Sequence, residues 1–211
     1  YMRRDVDLTE EQEKHYREMK LFATTQLAKA KHVTATQVIT QIMRLHQILC
    51  GHTKDEDGGI HFIPEKRTAA LLEQLEEYDG KAIIWCSYDL DIRKVADALD
   101  KEYGKGSAAK FWGGNRSERE AEEARFLKDD ACRFMVSTTA AGGRGRTWPV
   151  ANLDIYYSSN NDLEQRAQSE ERPKAVGKTT PIAYVDLVAP GTVDEKIIKA
   201  LRNKINMAAV I

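Results

Sequence analysis

The residues with the clearest chemical potential lie between Cys132 and Lys178. Cys132-Arg-Phe-Met-Val-Ser-Thr138 is a short apolar run of strand type, and it breaks into Thr139-Ala-Ala-Gly-Gly-Arg-Gly-Arg146. Glycines after a strand (here Gly142, Gly143 and Gly145) let backbone N–H groups come close to a ligand, and polyanions are the usual ligands of such loops. A helix-like run from Leu163 ends at Arg172, whose guanidinium suits bidentate contact with a phosphate. Taken singly, these features have ordinary structural roles: glycines turn the chain, hydroxyls cap helices, and Arg172 makes a surface ion pair. Order and spacing together make the signal.

Other constellations carry less. Pro173-Lys-Ala-Val-Gly-Lys-Thr179 ends like a phosphate-binding P-loop, but Arg172 stands where that pattern needs glycine, and a strand follows where it needs a helix. His46, Cys50, His52 and His61 are metal-ligand types without a spaced Cys-x-x-Cys pair to anchor a site, so they read as ordinary histidines near a helix end. Asp89, Asp91, Glu170 and Glu171 read as solvated charges at helix ends. No Ser/His/Asp or paired-carboxylate arrangement stands out.

The elements that must position these residues follow from pattern. Thr9-Glu-Glu-Gln12 fits a capping box, opening a helix over about Glu10–Lys29, and a second helix spans about Thr34–Leu49. Residues 1–8 read as an extended lead, and Gly51 to Gly59 as a polar turn or hairpin tip. A helical appendage is therefore expected over residues 1–64. From residue 65 to 211 helix and strand alternate. The strands are Lys81–Ser87, Ala108–Trp112, Cys132–Thr138, Leu153–Tyr157 and Pro181–Val188; the helices are Lys66–Tyr78, Asp91–Tyr103, Glu118–Lys128, Leu163–Arg172 and Thr192–Ala208. Five strands interleaved with helices imply an α/β fold, a parallel sheet with helices on both faces. Ligands gather at the carboxyl ends of such strands, where Ser87, Gly113, Ser137, Thr138 and Ser158 fall.

Composition bounds the reading. The 211 residues are 31% charged and 42% hydrophobic, as in a soluble globular domain, with 32 Lys+Arg against 33 Asp+Glu. Near-neutrality means that any nucleic-acid contact must come from a local patch. Three widely separated cysteines argue against a disulfide framework and for a reducing, intracellular setting. There is no span-length apolar stretch and no signal-peptide pattern. A start at Tyr1 is expected of a fragment of a longer protein.

In order and content, these segments resemble the back half of a superfamily-two helicase motor of the Swi/Snf type. Val136-Ser-Thr-Thr-Ala-Ala-Gly-Gly-Arg-Gly145 is similar to that family's fifth motif, and Leu163-Glu-Gln-Arg-Ala-Gln-Ser-Glu-Glu-Arg172 with Val176-Gly177 to its sixth. Lys81–Ser87 resembles the fourth motif, and Phe111-Trp-Gly-Gly114 with the charged helix after it resembles the segment written Gly-x-x-x then Arg. The helical lead-in and Pro190–Ile197 look like the family's opening and closing helices. Some positions depart from the pattern. Ala175 stands where a second arginine is usual, Lys178 where Gln is, and Arg144 and Arg146 where apolar residues are. Ser158-Ser-Asn-Asn161 replaces the Trp-Asn-Pro turn of eukaryotic remodellers, a form closer to bacterial or phage members.

The resemblance implies a RecA-like second lobe (helicase C-terminal domain) of an ATP-dependent DNA helicase or translocase. ATP with Mg2+ would sit between this lobe and an N-terminal lobe carrying the P-loop lysine and the magnesium ligands. Gly142, Gly143, Gly145 and Arg172 would face the nucleotide, Arg172 as an arginine finger with Gln168 orienting the same site. Ser87, Gly113, Ser137 and Thr138 would hold double-stranded DNA by its phosphates. The isolated lobe should be inactive. This reading needs the Arg172 side chain on the open face of the sheet, not in the interior. Localisation would be cytoplasmic in a bacterial or phage setting and nuclear in a eukaryotic one. The alternative is a non-catalytic helicase-like lobe that docks protein or DNA, with Ala175 marking lost ATPase function.

Overall fold

Alternation along one strand sets the architecture. In β4 (Lys81–Cys86), Ala82, Ile84 and Cys86 point to one face of the sheet and Ile83 and Trp85 to the other, all without exposure. A strand covered on both faces is apolar throughout, as the sequence indicates. The computed structural model describes residues 1–30, 32–55, 57–142 and 146–208.

Beside β4 lie β6 (Phe134–Thr138) and β7 (Ala151–Tyr156), then β5 (Ala108–Phe111) and β8 (Ala183–Val188), and at one edge β1 (Met2–Asp5). The order is β1-β8-β7-β4-β6-β5, with every pairing parallel. Against one face pack α3 (Arg67–Glu76) and α4 (Asp89–Tyr103), through Leu71, Leu75, Ile92, Val95 and Leu99. The other face carries a more aromatic layer of Trp85, Phe111, Phe126, Trp148, Tyr156 and Tyr184. Phe126 belongs to α5 (Arg119–Lys128). On the same side, α7 (Leu163–Glu170) meets the sheet where Tyr156 Oη and Ser169 Oγ lie 2.7 Å apart. The sheet thus has helices on both faces and is RecA-like.

The first strand departs from expectation. The extended lead pairs with β8, Met2 opposite Val185, so the sheet has six strands and not five. Met-Arg-Arg-Asp lacks an apolar alternation because it lies on an edge, where charge guards against unwanted pairing. Arg3 bonds Asp5 and Glu195, and Arg4 bonds Glu73. Between β1 and the rest of the sheet come α1 (Glu10–Lys29), α2 (Ala35–Leu49) and a hairpin of β2 (His52–Lys54) and β3 (Ile60–Phe62). The capping box at Thr9 and Gln12 forms as read. Gln12 Nε2 also donates to the carbonyls of Ile48 and Leu49, fastening α1 to the end of α2.

These helices share a core with the sheet domain. Tyr16, Leu45, Ile48 and Leu49 pack with Ala189 and with Val193 of α8 (Val193–Ala208). No helix among the described residues is long and apolar enough to cross a membrane.

Asp154 is fully buried in β7, where its Oδ2 accepts from Trp85 Nε1 at 3.0 Å. Burial pushes this carboxyl up to about 8. The folded chain therefore holds a proton there that the unfolded chain releases near pH 4, so this group lowers stability as pH rises from about 4 to 8. Asp154→Asn keeps the shape and removes the titration. Urea unfolding at pH 5 and pH 7.5 should show the variant gaining on the parent at the higher pH, by up to about 1.4 kcal/mol per pH unit. Equal pH slopes in the two proteins would refute the buried neutral carboxyl.

Candidate functional site

The carboxyl ends of β4, β5, β6 and β7 form one open edge, and the sequence-predicted residues fall into three groups, two of them at that edge. Thr138 closes β6, and its Oγ1 accepts the Ala141 N–H at 3.2 Å, starting the four-residue turn of helix α6 (Thr139–Gly142). Thr139 Oγ1 then donates to Gln165 Oε1 at 3.0 Å, and Asn160 Nδ2 donates to the same oxygen at 3.1 Å. Asp162 caps α7 by accepting from the Gln165 N–H at 3.0 Å and from Gln165 Nε2 at 2.8 Å. Between them lies a recess of about 260 Å³ lined by Thr139, Ala140, Asp162, Glu164, Gln165 and Gln168. Gln168 is half-buried and donates to Glu164 Oε1 at 2.8 Å. The recess offers hydroxyl, amide and carboxylate groups. Among the described residues two acids line it and no cation does, so a polyphosphate there would need positive charge from outside that lining.

The loop glycines have distinct standings. A Cβ on Gly142 would come within 2.8 Å of Ser137 Oγ, 2.9 Å of Trp85 Cζ3 and 3.0 Å of Trp148 Cη2. Its missing side chain makes room for two stacked tryptophans, whose rings lie 5.8 Å apart. Packing therefore explains this glycine before any ligand does. Gly143 and Gly145 lie outside the described residues.

Arg172 follows α7, in the turn beyond the helix that the sequence extended to include it. Its side chain does not stand out into solvent, so the open-face placement that the arginine-finger expectation requires is not met in this arrangement. The residue is 8% exposed, and Nη1 donates to the Arg146 carbonyl. Its own carbonyl accepts the Trp148 N–H at 2.6 Å. The residues of motif-six type and the segment after the glycine loop are thus cross-linked in both directions. Lys178, at the position where the family has Gln, donates to the carbonyls of Pro149, Ala151 and Pro173 at 2.5–3.0 Å, so all three ammonium protons are engaged in holding this turn. Residues 173–182 contain no helix, which agrees with the rejection of the P-loop reading.

The third group is the nucleic-acid set. Ser87 is half-buried at the tip of β4, with its N–H bonded to Ser158 Oγ at 2.7 Å. Gly113 is exposed just past β5, and a Cβ there would meet nothing within 4 Å. Ser137 is a correction. It is fully buried and its hydroxyl donates to the Phe111 carbonyl at 2.8 Å, tying β6 to β5, so that proton is not available to a phosphate.

Cations that the sequence reading passed over surround Gly113. Arg93 lies over the Trp112 ring at 5.2 Å, Arg116 is exposed, and Arg119 donates twice to the Trp112 carbonyl. Burial, then the nearby Arg116 and Arg146, lowers the Arg119 pKa, as expected where guanidiniums crowd. These arginines give the loop around Gly113 the local positive charge that a nucleic-acid contact by a near-neutral chain would need. Arginines flanking Phe111-Trp-Gly-Gly114 were its sequence signal.

Two further corrections concern residues read as solvated. Asp91 has no exposure: Ser158 Oγ donates to its Oδ2 at 3.0 Å, and burial pushes its carboxyl up to about 6. Glu170 is buried against Arg166, which also bonds Asp186. His46 and His52 are internal too. His46 Nδ1 is 2.8 Å from Tyr88 Oη and its Nε2 is 3.1 Å from Asp194 Oδ1; His52 meets the Tyr88 ring edge-on.

A six-stranded parallel sheet with these segments along its carboxyl edge defines a helicase-type RecA lobe. The helicase conserved C-terminal domain matches residues 65–174, and the chain belongs to that family. It is 30% identical to the human lymphoid-specific helicase over 95 residues, 45% of this chain and 11% of that protein. The chain thus spans about a tenth of that relative's length. Its fold matches the C-terminal part of the Fun30 ATPase domain with a TM-score of 0.76 at 14% identity, covering 95% of this chain and 88% of that one. It also matches the Sulfolobus solfataricus SWI2/SNF2 ATPase core solved in complex with dsDNA, with a TM-score of 0.73 at 20% identity over 98% of this chain and 44% of that one.

The contacts around Gly142 predict that Gly142→Ala is destabilising by about 1–3 kcal/mol, because both tryptophans are fully buried and cannot give way. A thermal midpoint unchanged within error would show that the loop moves aside without cost.

Proposed function

We propose that this chain is the second lobe of an ATP-dependent translocase acting on double-stranded DNA, with residues 65–211 as the lobe proper and residues 1–64 as its helical lead-in. The observation that carries this is a shared edge. The polar recess of Thr139, Gln165 and Gln168 and the arginines at Gly113 follow the carboxyl ends of neighbouring strands, and Arg172 lies in the turn that ends the helix lining that recess. One lobe can then touch nucleotide and nucleic acid through adjoining loops of the same sheet.

In this reading the duplex lies against Ser87, Gly113 and Thr138, with Arg93 and Arg116 supplying charge. Such contacts position a strand without reading its sequence. The two acids of the recess fit an ATP site only when a partner lobe completes it with cations, which suits a nucleotide bound between two lobes. Mg2+, whose ligands the resemblance puts on the first lobe, would supply charge neutralisation at the phosphates. Thr139, Gln165 and Gln168 would orient polar groups of the nucleotide. Arg172 would leave the Arg146 carbonyl and turn toward the phosphates when the lobes close. Burial lowers its pKa but leaves a guanidinium charged at any physiological pH, so the charge is ready for that step. A cation brought up to the phosphates in this way stabilises charge spread over a transferring phosphoryl group. Lobe closure and reopening would advance the protein along DNA.

The tight seat of Arg172 also suits the second reading, a docking lobe without catalysis, and one substitution separates the two. In a protein that includes the first lobe, Arg172→Ala should lower ATP turnover by about a thousandfold or more while duplex affinity stays within about twofold. Undiminished hydrolysis would leave the docking lobe as the better account. The isolated chain should show no ATP turnover, and should bind duplex weakly with an affinity that falls steeply with salt. Turnover at the level of a whole motor, or salt-independent binding, would overturn the half-motor reading.

A further inference from the structure

Glu123 lies on α5, a helix of mostly charged residues, yet it is only 8% exposed and both its carboxylate oxygens are engaged. Oε1 accepts from Trp148 Nε1 at 2.7 Å, and Oε2 accepts from Arg146 Nη1. Those two donors flank the same short turn to which Arg172 is cross-linked. Arg146 offers its carbonyl to the Arg172 guanidinium, and Trp148 offers its N–H to the Arg172 carbonyl. The turn is therefore gripped from α5 by one carboxylate and presents its other side to Arg172.

The grip is specific in both chemistry and direction. Hydrogen bonds to an ionised carboxylate are shorter and stronger than neutral ones, and two of them fix the angle of the turn as well as its distance. The Trp148 ring is already walled by Trp85, Phe111 and Phe126, so burial alone would hold the indole without setting where Arg146 points.

We propose that Glu123 is a positioning residue for ATP turnover: through Arg146 and Trp148 it sets the place from which Arg172 acts. This rests on the function proposed above, and the experiment keeps the two apart. In a protein that includes the first lobe, kcat and KM for ATP are measured for Glu123→Gln, Arg172→Lys, the double variant and Arg172→Ala, alongside thermal midpoints. Glu123→Gln should lower kcat by about tenfold and leave KM within about twofold, as expected when an interaction matters only in the transition state. In the Arg172→Lys background the same change should cost less than about twofold, because the group it positions is gone. An equal loss in both backgrounds, or an unaltered kcat in a folded Glu123→Gln protein, would overturn the proposal. Should Glu123→Gln fail to fold, Arg146→Met keeps the bond to Trp148 and is read through the same cycle. If Arg172→Ala itself leaves turnover intact, the arginine-finger reading falls and takes this proposal with it.

Discussion

One buried guanidinium holds the halves of this chain together. Arg67, 1% exposed at the start of α3, donates to the carbonyls of Leu49, Tyr157 and Leu187 and to the Asp194 carboxylate. Those acceptors belong to the end of α2, the tips of β7 and β8, and the beginning of α8. Burial alone would lower the Arg67 pKa and raise that of Asp194. Their mutual attraction outweighs it, raising Arg67 and holding Asp194 below the ordinary carboxylate range. Breaking such a pair by removing one partner costs about 3–5 kcal/mol, because the other charge stays buried and uncompensated. No single contact elsewhere in the described residues spans as many elements.

From this centre one series of polar contacts reaches the open edge of the sheet, and a second begins beside it at the buried Asp91. Asp194 leads through His46 to Tyr88, and Asp91 leads through Ser158 to the Ser87 N–H. Residues 87 and 88, at the tip of a central strand, are thus set from two sides. His46 comes from the helical lead-in, so that segment helps to define the edge and does not simply decorate the domain. The buried network consists of fully directional groups, which favours one arrangement of the edge over many near-equal ones.

Most of the sheet was readable because its strands are apolar on both faces and its helices carry matching stripes. Lys81–Ser87 needed only composition to be recognised, and Thr9 with Gln12 needed only capping chemistry. The limits appear where a residue's role depends on distant partners. Asp91 and Glu170 look like helix-end charges in sequence, and only the fold brings Ser158 to the first and Tyr1 to the second. Ser137 sits at a strand end as expected, but strand pleat turns its hydroxyl toward β5 and away from solvent. Arg172 was visible as a phosphate-gripping type, while its engagement with the Arg146 carbonyl depends on a loop crossing that no local pattern encodes. The edge strand was missed because charge, not alternation, marks it.

That edge strand has a consequence for how the chain is made. Met2 to Asp5 are among the first of these residues to leave a ribosome, yet their partners are Val185 to Val188, among the last. Closing so long a loop contributes nothing until the intervening sheet exists, so this pairing should be a late event in folding. Throughout that wait the segment is a solitary strand with two arginines and an aspartate, a composition that resists recruitment by neighbouring nascent chains. Its polar character therefore protects biogenesis as much as it suits the finished rim.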